Sequence, residues 1–487
     1  MQPGRLGVIN NLGNVLQSLG RHAEAESCYR EALGLEPELA EALYNLGVTL
    51  HALGRPDEAR ACHEKLLGIL LAAGNGLAAE GRQAEAIDCY QCALSLRPDD
   101  ADTLNQLGVL LDAQGRRGEA LKELRRAREL APRDPDIAYH LGLVLHSTGD
   151  YAAAIDCYDR SLELAPERGE TSLARALSLL AMGDYARGFR AYECRYTARF
   201  ERPRVAKPDF AFPMWRGEAL AGKRILLATE QGYGDQIQFL RFAAVLDRQG
   251  ATVDVIADAR MQRLAAGVPG VRAVLPGLAP GAGGYDYWSL LLSVPLWLGT
   301  KLDSVPAEIP YLRPPAEEVK KWADRLRALP QGRLKVGLVW TAGNTSRENL
   351  HGRSMGFDAL QPLARLAGIS FVGLQFGERA QEHPVAAGFP ALQLGAEVGD
   401  FADNAALIAN LDLLVTVDTA AGHLAGALGI PAWILLPASP DWRWGWGRSD
   451  SPWYPSLKLL RQAQLGDWTP LVERLAQDLQ RLAARSA

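Results

Sequence analysis

One stretch decides the fold of the first part of this 487-residue chain: LGVLLDAQGRRGEALKELRRARELAP, from Leu107 to Pro132. Its Leu-Gly pair is followed seven residues later by Gly115, then by Ala120, and the stretch closes on a proline. The pattern predicts two helices that are joined by a turn at Gly115. Pro132 ends the second helix, because proline has no backbone N–H with which to continue it.

The same pattern recurs through the N-terminal part of the chain. The turn glycines are 34, 27, 34, 34 and 34 residues apart; they are Gly20, Gly54, Gly81, Gly115, Gly149 and Gly183. The alanines and closing prolines keep the same step: Ala25, Ala59, Ala86, Ala120, Ala154, Pro37, Pro98, Pro132 and Pro166. A 34-residue period with small residues at these places is typical of tetratricopeptide (TPR) repeats, in which glycine and alanine let the paired helices approach. We expect five repeats and a diverged sixth near Gly183, with Tyr29, Tyr90 and Tyr158 filling the groove between paired helices.

The 27-residue spacing between Gly54 and Gly81 lacks seven residues and the closing proline. Seven residues correspond to about two helical turns. The second and third repeats are therefore expected to meet through a shortened or fused helix pair, with a local change in superhelix pitch.

A TPR solenoid has a concave groove, lined mainly by the first helix of each repeat. Two residues before the first glycine of each repeat stand Asn11, Asn45, Ala72, Gln106 and His140. The four polar ones are a candidate ladder for an extended peptide backbone; the alternative is that asparagine before Leu-Gly is common in TPRs of every function. Since TPR repeats are not themselves enzymes, this half predicts a partner protein or a dimer interface.

Strand and helix patterns alternate after an extended, aromatic linker at residues 196–218. Apolar runs predict strands at 224–229, 252–257, 335–340, 370–375, 411–417 and 431–436, and helical patterns lie at 236–248, 356–366 and 404–410. This order predicts parallel sheets in an α/β domain. Two such units in tandem leave a cleft at the carboxyl ends of the strands, where ligands bind.

Two motifs follow predicted strands at this cleft. Gly232-Tyr233-Gly234-Asp235 follows the first strand, and DTAAGHLAGALGIP runs from Asp418 to Pro431. They resemble the Gly-x-Gly-Asp loop and the Asp-[Thr/Ser]-x-x-x-His-x-Ala-x-Ala-x-x-x-Pro donor motif of the ADP-heptose heptosyltransferases. Segments 439–444 and 451–455 look like those of bacterial TPR proteins that carry such a domain.

The resemblance implies a GT-B glycosyltransferase fold, two Rossmann-like lobes with the donor bound mainly by the second. The overall plan is similar to that of O-GlcNAc transferase, a TPR superhelix fused to a GT-B enzyme. We place the repeats at 1–195, the acceptor-side lobe at 219–330 and the nucleotide-sugar lobe at 331–487.

Sugar transfer from a nucleoside diphosphate needs a stabilised leaving group, a proton acceptor and exclusion of water. GT-B enzymes typically neutralise the diphosphate with helix N-termini and basic side chains instead of a metal. The resemblance assigns the donor to a set of residues in one turn, namely Asp418, Thr419, Ala420, Gly422 and His423. The alternative is an ordinary N-cap with a packed histidine.

Asp235 is the candidate general base, at a helix start whose dipole would lower its pKa. The alternative is an N-cap carboxylate that closes the glycine loop. Gly232, Tyr233 and Gly234 are assigned to the acceptor side.

Two further residues are assigned to the donor. Arg353 would supply positive charge, unless its loop is merely solvated, and Gln375 would reach the base or ribose. The Arg353 loop departs from the pattern of the TPR group, which tends to carry His and Asp ahead of the Arg-Ser pair; Arg347, Glu348 and Leu350 stand here, with His351 beside Arg353.

Composition excludes several other classes. A net charge of -5 argues against a nucleic-acid partner, which needs a basic face. No run of 18 apolar residues predicts a membrane span, and the first residues lack the pattern of a signal peptide, so a cytoplasmic location is expected. Cys89 and Cys92 form one CxxC without a second pair, so neither a metal nor another cofactor is predicted.

The function predicted from the sequence is a glycosyltransferase, inverting and metal-independent, acting on a protein or glycan acceptor that the repeats recruit. The alternative is a non-catalytic TPR adaptor with a degenerate or nucleotide-sensing GT-B domain. Heptose transfer to lipopolysaccharide is less favoured, because that acceptor does not call for a TPR stack.

Overall fold

The structure, a computed structural model, describes residues 3–197, 200, 205–278, 283–342, 352–376, 389 and 391–486. Its contacts divide the chain into two compact units, Met1–Leu145 and His146–Ala487. The second unit thus begins well before the boundary at 195 that the sequence suggested, and it includes the last repeat helices as well as the α/β part.

The first unit consists of helices joined by short turns. They are α1 (Pro3–Ser18), α2 (His22–Leu35), α3 (Ala40–Ala52), α4 (Pro56–Ala79), α5 (Gln83–Leu96), α6 (Ala101–Ala113) and α7 (Arg117–Leu130), and α8 (Pro135–Ser147) ends in the second unit. The turn glycines have φ between 75° and 79°, at Gly20, Gly54, Gly81 and Gly115. Only glycine adopts this left-handed conformation at low cost, which explains its strict recurrence.

Close packing between paired helices explains the other repeated residues. A Cβ on Gly13 would lie 2.6 Å from the Tyr29 ring, and a Cβ on Gly74 would lie 2.8 Å from the Tyr90 ring. The two tyrosine hydroxyls donate to asparagine side chains of the first helix at 2.8 and 2.7 Å. The glycines therefore make room for the tyrosines, as the repeat pattern predicts.

The short 27-residue spacing corresponds to one long helix. Helix α4 runs unbroken for 24 residues, from Pro56 to Ala79, across the place where a closing proline is missing. Leu66 and Leu67, in its middle, are buried. The second helix of the second repeat thus continues directly into the first helix of the third, which is the fused arrangement.

The second unit begins with the helices of the last repeats and continues into an all-parallel sheet. The helices are α9 (Tyr151–Leu164), α10 (Gly169–Ala181), α11 (Tyr185–Tyr192) and the short α12 (Cys194–Thr197). The strands, in the order β3-β2-β1-β4, are β1 (Arg224–Ala228), β2 (Thr252–Ile256), β3 (Val271–Leu275) and β4 (Tyr287–Leu290). The helices of this part are α13 (Tyr233–Phe239), α14 (Phe242–Arg248), α15 (Ala259–Ala265), α16 (Val294–Trp297) and α17 (Ala316–Leu326).

A second all-parallel sheet follows in the order β10-β9-β8-β5-β6-β7. Its strands are β5 (Leu334–Val339), β6 (Ile369–Gly373), β7 (Ala391–Gln393), β8 (Leu413–Val417), β9 (Ala432–Leu436) and β10 (Leu457–Arg461). Its helices are α18 (Phe401–Ile408), α19 (Ala420–Leu428) and α20 (Thr469–Ser486). Every residue of β6 and β8 is buried, as expected for parallel strands that are covered on both faces.

Two predicted helices differ, and the first, predicted at 236–248, is divided into α13 and α14. Residues 356–366 form a 3-10 helix, Phe357–Arg365, in which Pro362 lies inside. Proline cannot donate the backbone hydrogen bond of an α-helix and clashes with the preceding turn, so the tighter helix forms instead.

Strand order locates the crevices. The chain leaves β5 toward β6 and β7, then returns to place β8 on the opposite side of β5. Likewise β2 and β3 lie on one side of β1, and β4 lies on the other. At such reversals the loops diverge and open a crevice at the carboxyl ends of the strands, where ligands bind in parallel α/β sheets.

Candidate functional site

The glycine loop follows β1, at the reversal of the first sheet. Gln231 has φ of 59°, and it alone among the described non-glycine residues has a positive φ. Asp235, in the first turn of α13, accepts a hydrogen bond from the Gly232 N–H at 3.1 Å through Oδ2. The capping role that was the alternative for Asp235 is therefore present.

The other carboxylate oxygen of Asp235 contacts an arginine. Oδ1 lies 2.5 Å from Nη2 of Arg443, a residue in the turn that follows β9. Burial raises the pKa of Asp235, although Arg443 opposes the rise. The expected lowering by the helix dipole is wrong, because loss of hydration outweighs the favourable charges.

The turn between β8 and α19 lies at the reversal of the second sheet. The Thr419 hydroxyl pairs with the Thr416 hydroxyl at 2.8 Å instead of capping α19, whose first residue, Ala420, is half-buried. Gly422 serves packing, because a Cβ there would lie 2.9 Å from the Ile434 side chain. The start of α19 thus lacks a cap from Thr419, and free amides at a helix start favour an anion.

Asp418 and Arg353 meet beside this turn. Nη1 of Arg353 lies 3.8 Å from Oδ2 of Asp418, whose side chain is 7% exposed. Burial raises the pKa of Asp418, and the nearby Arg353 partly opposes that rise. The structure therefore brings together two of the predicted donor residues, but as a pair with each other. Arg347 and His351, named with Arg353, lie outside the described residues.

His423 is packed and neutral. Its Nδ1 lies 3.0 Å from the Tyr454 hydroxyl, and its ring centroid lies 5.0 Å from that of Trp444. Burial, with a contribution from Arg443, lowers the pKa of His423 to about 3. The imidazole is therefore neutral near neutral pH, and its contacts are those of the packed-histidine alternative.

The two sequence motifs touch each other at Gly234. A Cβ on Gly234 would lie 2.8 Å from Cδ2 of His423. The neighbouring Tyr233 ring packs against Phe401, with centroids 4.6 Å apart. The glycine loop of the first sheet and the histidine helix of the second sheet therefore pack directly against each other.

Gln375 is engaged by the backbone. Its Oε1 accepts from the Thr341 N–H at 3.2 Å, and its Nε2 donates to the Thr341 carbonyl at 3.1 Å. The side chain is buried and joins the loops after β6 and β5. These two bonds use one lone pair of Oε1 and one N–H of Nε2, and contact with a base or ribose stays a prediction.

The four polar residues predicted to line the groove differ in burial and in hydrogen bonding. Asn45 donates to Asn14 at 2.9 Å, and His140 pairs with Asn105 at the same distance. Both are half-buried and join neighbouring repeats. The remaining predicted ladder residues, Asn11 and Gln106, are exposed.

Sequence reasoning missed the partners that hold the glycine loop. Arg195 of α12 makes two hydrogen bonds to Glu230, at 2.8 and 2.7 Å, and Glu230 also accepts from the Leu292 N–H at 3.1 Å. The Tyr192 hydroxyl pairs with the Gln231 amide at 2.9 Å. The segment that ends the repeats thus fixes the loop before Gly232. No local pattern links Arg195 with Glu230, because they are distant in sequence.

The Asp441–Trp444 turn was also left without a role. Its signal in the sequence was an arginine between two tryptophans, preceded by an aspartate, shortly after a strand. The structure places Arg443 between Asp235 and Asp441.

An open cavity of about 500 Å³ lies elsewhere in the second unit. Its lining includes Asp184, Tyr185, Lys301, Arg448 and Pro452, and none of the predicted site residues. It is therefore separate from the crevice that holds Asp235 and His423.

Comparison with known families identifies the repeats. Models described as tetratricopeptide repeat match residues 5–72 and 105–168, and one described as TPR repeat matches residues 74–115. The N-terminal part of the chain is therefore a TPR solenoid, and such repeats indicate binding of a protein or peptide partner.

Among curated proteins the chain is similar to protein FlbA of Caulobacter vibrioides, with 29% identity over 334 residues, covering 61% of this chain and 52% of FlbA. It thus spans about half the length of that relative. Among solved structures it is similar to YrrB, described as a TPR protein with an unusual peptide-binding site, with 23% identity over 35% of this chain and 91% of YrrB, and a TM-score of 0.24. PilF of Pseudomonas aeruginosa matches with 19% identity over 39% of this chain and 87% of PilF, and a TM-score of 0.24.

Two features are absent from the described part of the chain, a membrane-spanning helix and a metal-binding cluster. None of the helices there combines the length and apolar character that a membrane span requires. Within the same residues, no group of three or more His, Cys, Asp or Glu side chains is arranged to hold a metal ion.

Proposed function

We propose that the second unit is a glycosyltransferase of GT-B type, which moves a sugar from a nucleoside-diphosphate donor to a protein or glycan acceptor. One observation carries the proposal. The loop that bears Asp235 and the start of α19 come from two parallel sheets and meet where Gly234 touches His423. A crevice shared by two such sheets, with a carboxylate and arginines inside it, has the parts that sugar transfer needs.

The donor side is supported by charge and by helix geometry. The start of α19 lacks a Thr419 cap, and Arg353 and Arg443 lie nearby. A helix start and arginines both favour the charge that develops on a departing diphosphate. The reaction proposed is inverting and needs no metal.

The acceptor side is supported by Asp235. Burial raises the pKa of its carboxyl group, so the carboxylate is a stronger base than an exposed aspartate. We further propose that the TPR repeats recruit the acceptor, since the repeats are modules for protein or peptide binding.

A second candidate is a non-catalytic adaptor that senses a nucleotide. The contact of 2.5 Å between Asp235 and Arg443 favours it, because a carboxylate that is paired with an arginine is a poor base. The two candidates differ in turnover.

The test combines a thermal-shift screen of nucleotide sugars with a transfer assay. A ligand at 100 times its Kd should stabilise the protein by about 2.7 kcal/mol. For glycosyl transfer, Asp235→Ala should abolish turnover while nucleotide binding persists, and Asp247→Asn on the exposed end of α14 should behave as wild type. Binding without turnover of any donor would favour the adaptor, and absence of both would refute the proposal.

A further inference from the structure

Residues of the turn after β9 hold the Arg443 side chain in place. Oδ1 of Asp441 accepts from the Arg443 backbone N–H at 3.0 Å and from Nη1 at 2.8 Å. The guanidinium also lies 4.5 Å from the centroid of the Trp442 ring. These contacts are local and come from the same turn as Arg443.

The opposite edge of the guanidinium is incompletely satisfied. Nε and Nη2 of Arg443 find no hydrogen-bond acceptor among the described residues, although the side chain is only 8% exposed. Asp235 approaches Nη2 closely, but not in the geometry of a hydrogen bond. A buried donor without an acceptor costs free energy, which indicates that this edge is suited to another group.

In Arg195 the corresponding Nε–Nη2 edge of the guanidinium is hydrogen-bonded. Its Nε and Nη2 donate to the two oxygens of Glu230 at 2.8 and 2.7 Å. Such paired hydrogen bonds suit any planar or tetrahedral oxyanion, including phosphate. The Nε–Nη2 edge of Arg443 has the donors for this arrangement and lacks the acceptors.

The charged side chains around Arg443 indicate which carboxylate an incoming anion would displace. Among the described residues of the crevice, the carboxylates of Asp235, Asp418 and Asp441 face the arginines Arg353 and Arg443. Both arginines already lie beside a carboxylate, so an anion must replace one. Asp441 is bound within its own turn, whereas Asp235 belongs to α13 and reaches Arg443 without a hydrogen bond.

We propose that Arg443 is a phosphate-binding residue whose Nε–Nη2 edge takes an oxyanion in exchange for Asp235. This inference rests on the proposed function, in which the oxyanion is the diphosphate of the donor. The exchange separates Asp235 from its arginine, so donor binding itself frees the carboxylate to act as a base.

The test measures binding of inorganic pyrophosphate to the full chain by isothermal titration calorimetry. Asp235→Asn removes the competing charge and should tighten binding about tenfold, and Arg443→Gln should weaken it at least about tenfold. The double variant should resemble Arg443→Gln. Arg448→Gln is the matched control: that arginine is half-buried, pairs with Asp450 instead of Asp235, and should leave binding unchanged.

Exchange predicts that Asp235→Asn tightens pyrophosphate binding and Arg443→Gln weakens it, whereas a purely structural ion pair does not predict these opposite effects. If Asp235→Asn weakens binding as Arg443→Gln does, or if pyrophosphate binds neither wild type nor Asp235→Asn, the inference is overturned. Melting curves for each variant show that it remains folded.

The inference and the proposed function can fail separately. Tighter binding by Asp235→Asn without turnover of any nucleotide sugar would keep the exchange and refute glycosyl transfer. Turnover in which Arg443→Gln leaves the KM for the donor unchanged would keep the function and refute the exchange.

Discussion

Position 234 has no space for a side chain larger than that of glycine. The His423 ring occupies the place where a side chain would stand, with Cδ2 at 2.8 Å from an ideal Cβ. His423 cannot move aside easily, because it is packed between Trp444 and Tyr454 and bound to the Tyr454 hydroxyl. The glycine is thus needed for contact between the two motifs.

Gly234→Ala should destabilise the protein by about 1–3 kcal/mol, the usual cost of an inserted methyl in a packed site. Gly232→Ala is the matched control, since its Cβ would meet only Asp235 at 3.5 Å, an ordinary contact. Urea denaturation followed by tryptophan fluorescence measures both. Equal stabilities for the two variants would contradict the close contact.

His423 also makes stability depend on pH. Its pKa is about 3 in the folded protein, below its ordinary value of 6.5, so the folded state binds fewer protons between these values. The free energy of unfolding should therefore fall as pH falls below 6.5, by up to about 1.4 kcal/mol per pH unit from this group. His423→Gln should flatten that part of the profile and run parallel to wild type above it. Parallel profiles throughout would show that the histidine is not buried in its neutral form.

At the scale of elements, the short helix α12 supports the glycine loop through a buried ion pair. The side chains of Arg195 and Glu230 are 1% and 3% exposed, and Ser293 accepts a further hydrogen bond from Arg195 at 2.8 Å. An ion pair this deep depends on both members, because either one alone would be an uncompensated buried charge.

Arg195→Met should cost about 3–5 kcal/mol, since it leaves Glu230 buried without its cation. Adding Glu230→Gln should recover part of the loss, because the remaining side chain is then uncharged. Arg187→Met on α11 is the control: its side chain is 59% exposed and should change stability by no more than about 0.5 kcal/mol. Melting temperatures compare the set, and a double variant that is no more stable than Arg195→Met would argue against the charge explanation.

At the scale of the whole molecule, the last repeat helices belong to the α/β part. Tyr185 and Phe189 of α11 pack against Trp442, and the Trp453 indole donates to the Tyr185 hydroxyl at 2.9 Å. The compact unit accordingly begins at His146. These aromatic contacts hold together segments that are far apart in the chain.

A chain that begins at His146 should unfold in one cooperative transition, whereas one that begins at residue 196 should aggregate or melt at a lower temperature. The shorter chain exposes Trp442 and Trp453 and leaves Glu230 without Arg195, so it loses apolar burial and an ion pair together. Differential scanning calorimetry of the two chains measures the difference. Equal melting temperatures would place the boundary at 195 after all.

The repeats were predictable in detail because their information is local. A turn glycine needs a positive φ, and a glycine of the first helix repeatedly meets a larger side chain of the second, namely Tyr29, His63, Tyr90 or Leu124, so spacing locates these positions. The missing proline predicted a shortened or fused helix pair, and the structure has the fused form in α4. In the α/β part, Asp235 and His423 were found because each stands in a motif beside a strand end.

Their roles were not predictable in the same way. Whether Asp235 is a free base or a capped and ion-paired carboxylate depends on Arg443, far away in the sequence. His423 was assigned to the donor; the structure packs it against Tyr454 and Trp444, and burial lowers its pKa. Gln375 was assigned to the nucleotide and is bound to the Thr341 backbone.

The sequence by itself determined the period of the repeats, the parallel α/β character and the two motifs at strand ends. Each depends on residues close in the chain, whose backbone preferences act over a few turns. Only the tertiary structure decided the state of the crevice: which arginine meets which carboxylate, which side chains lose their water, and how α12 holds the glycine loop. Charge pairing and burial depend on distance in space, and the fold alone sets that distance.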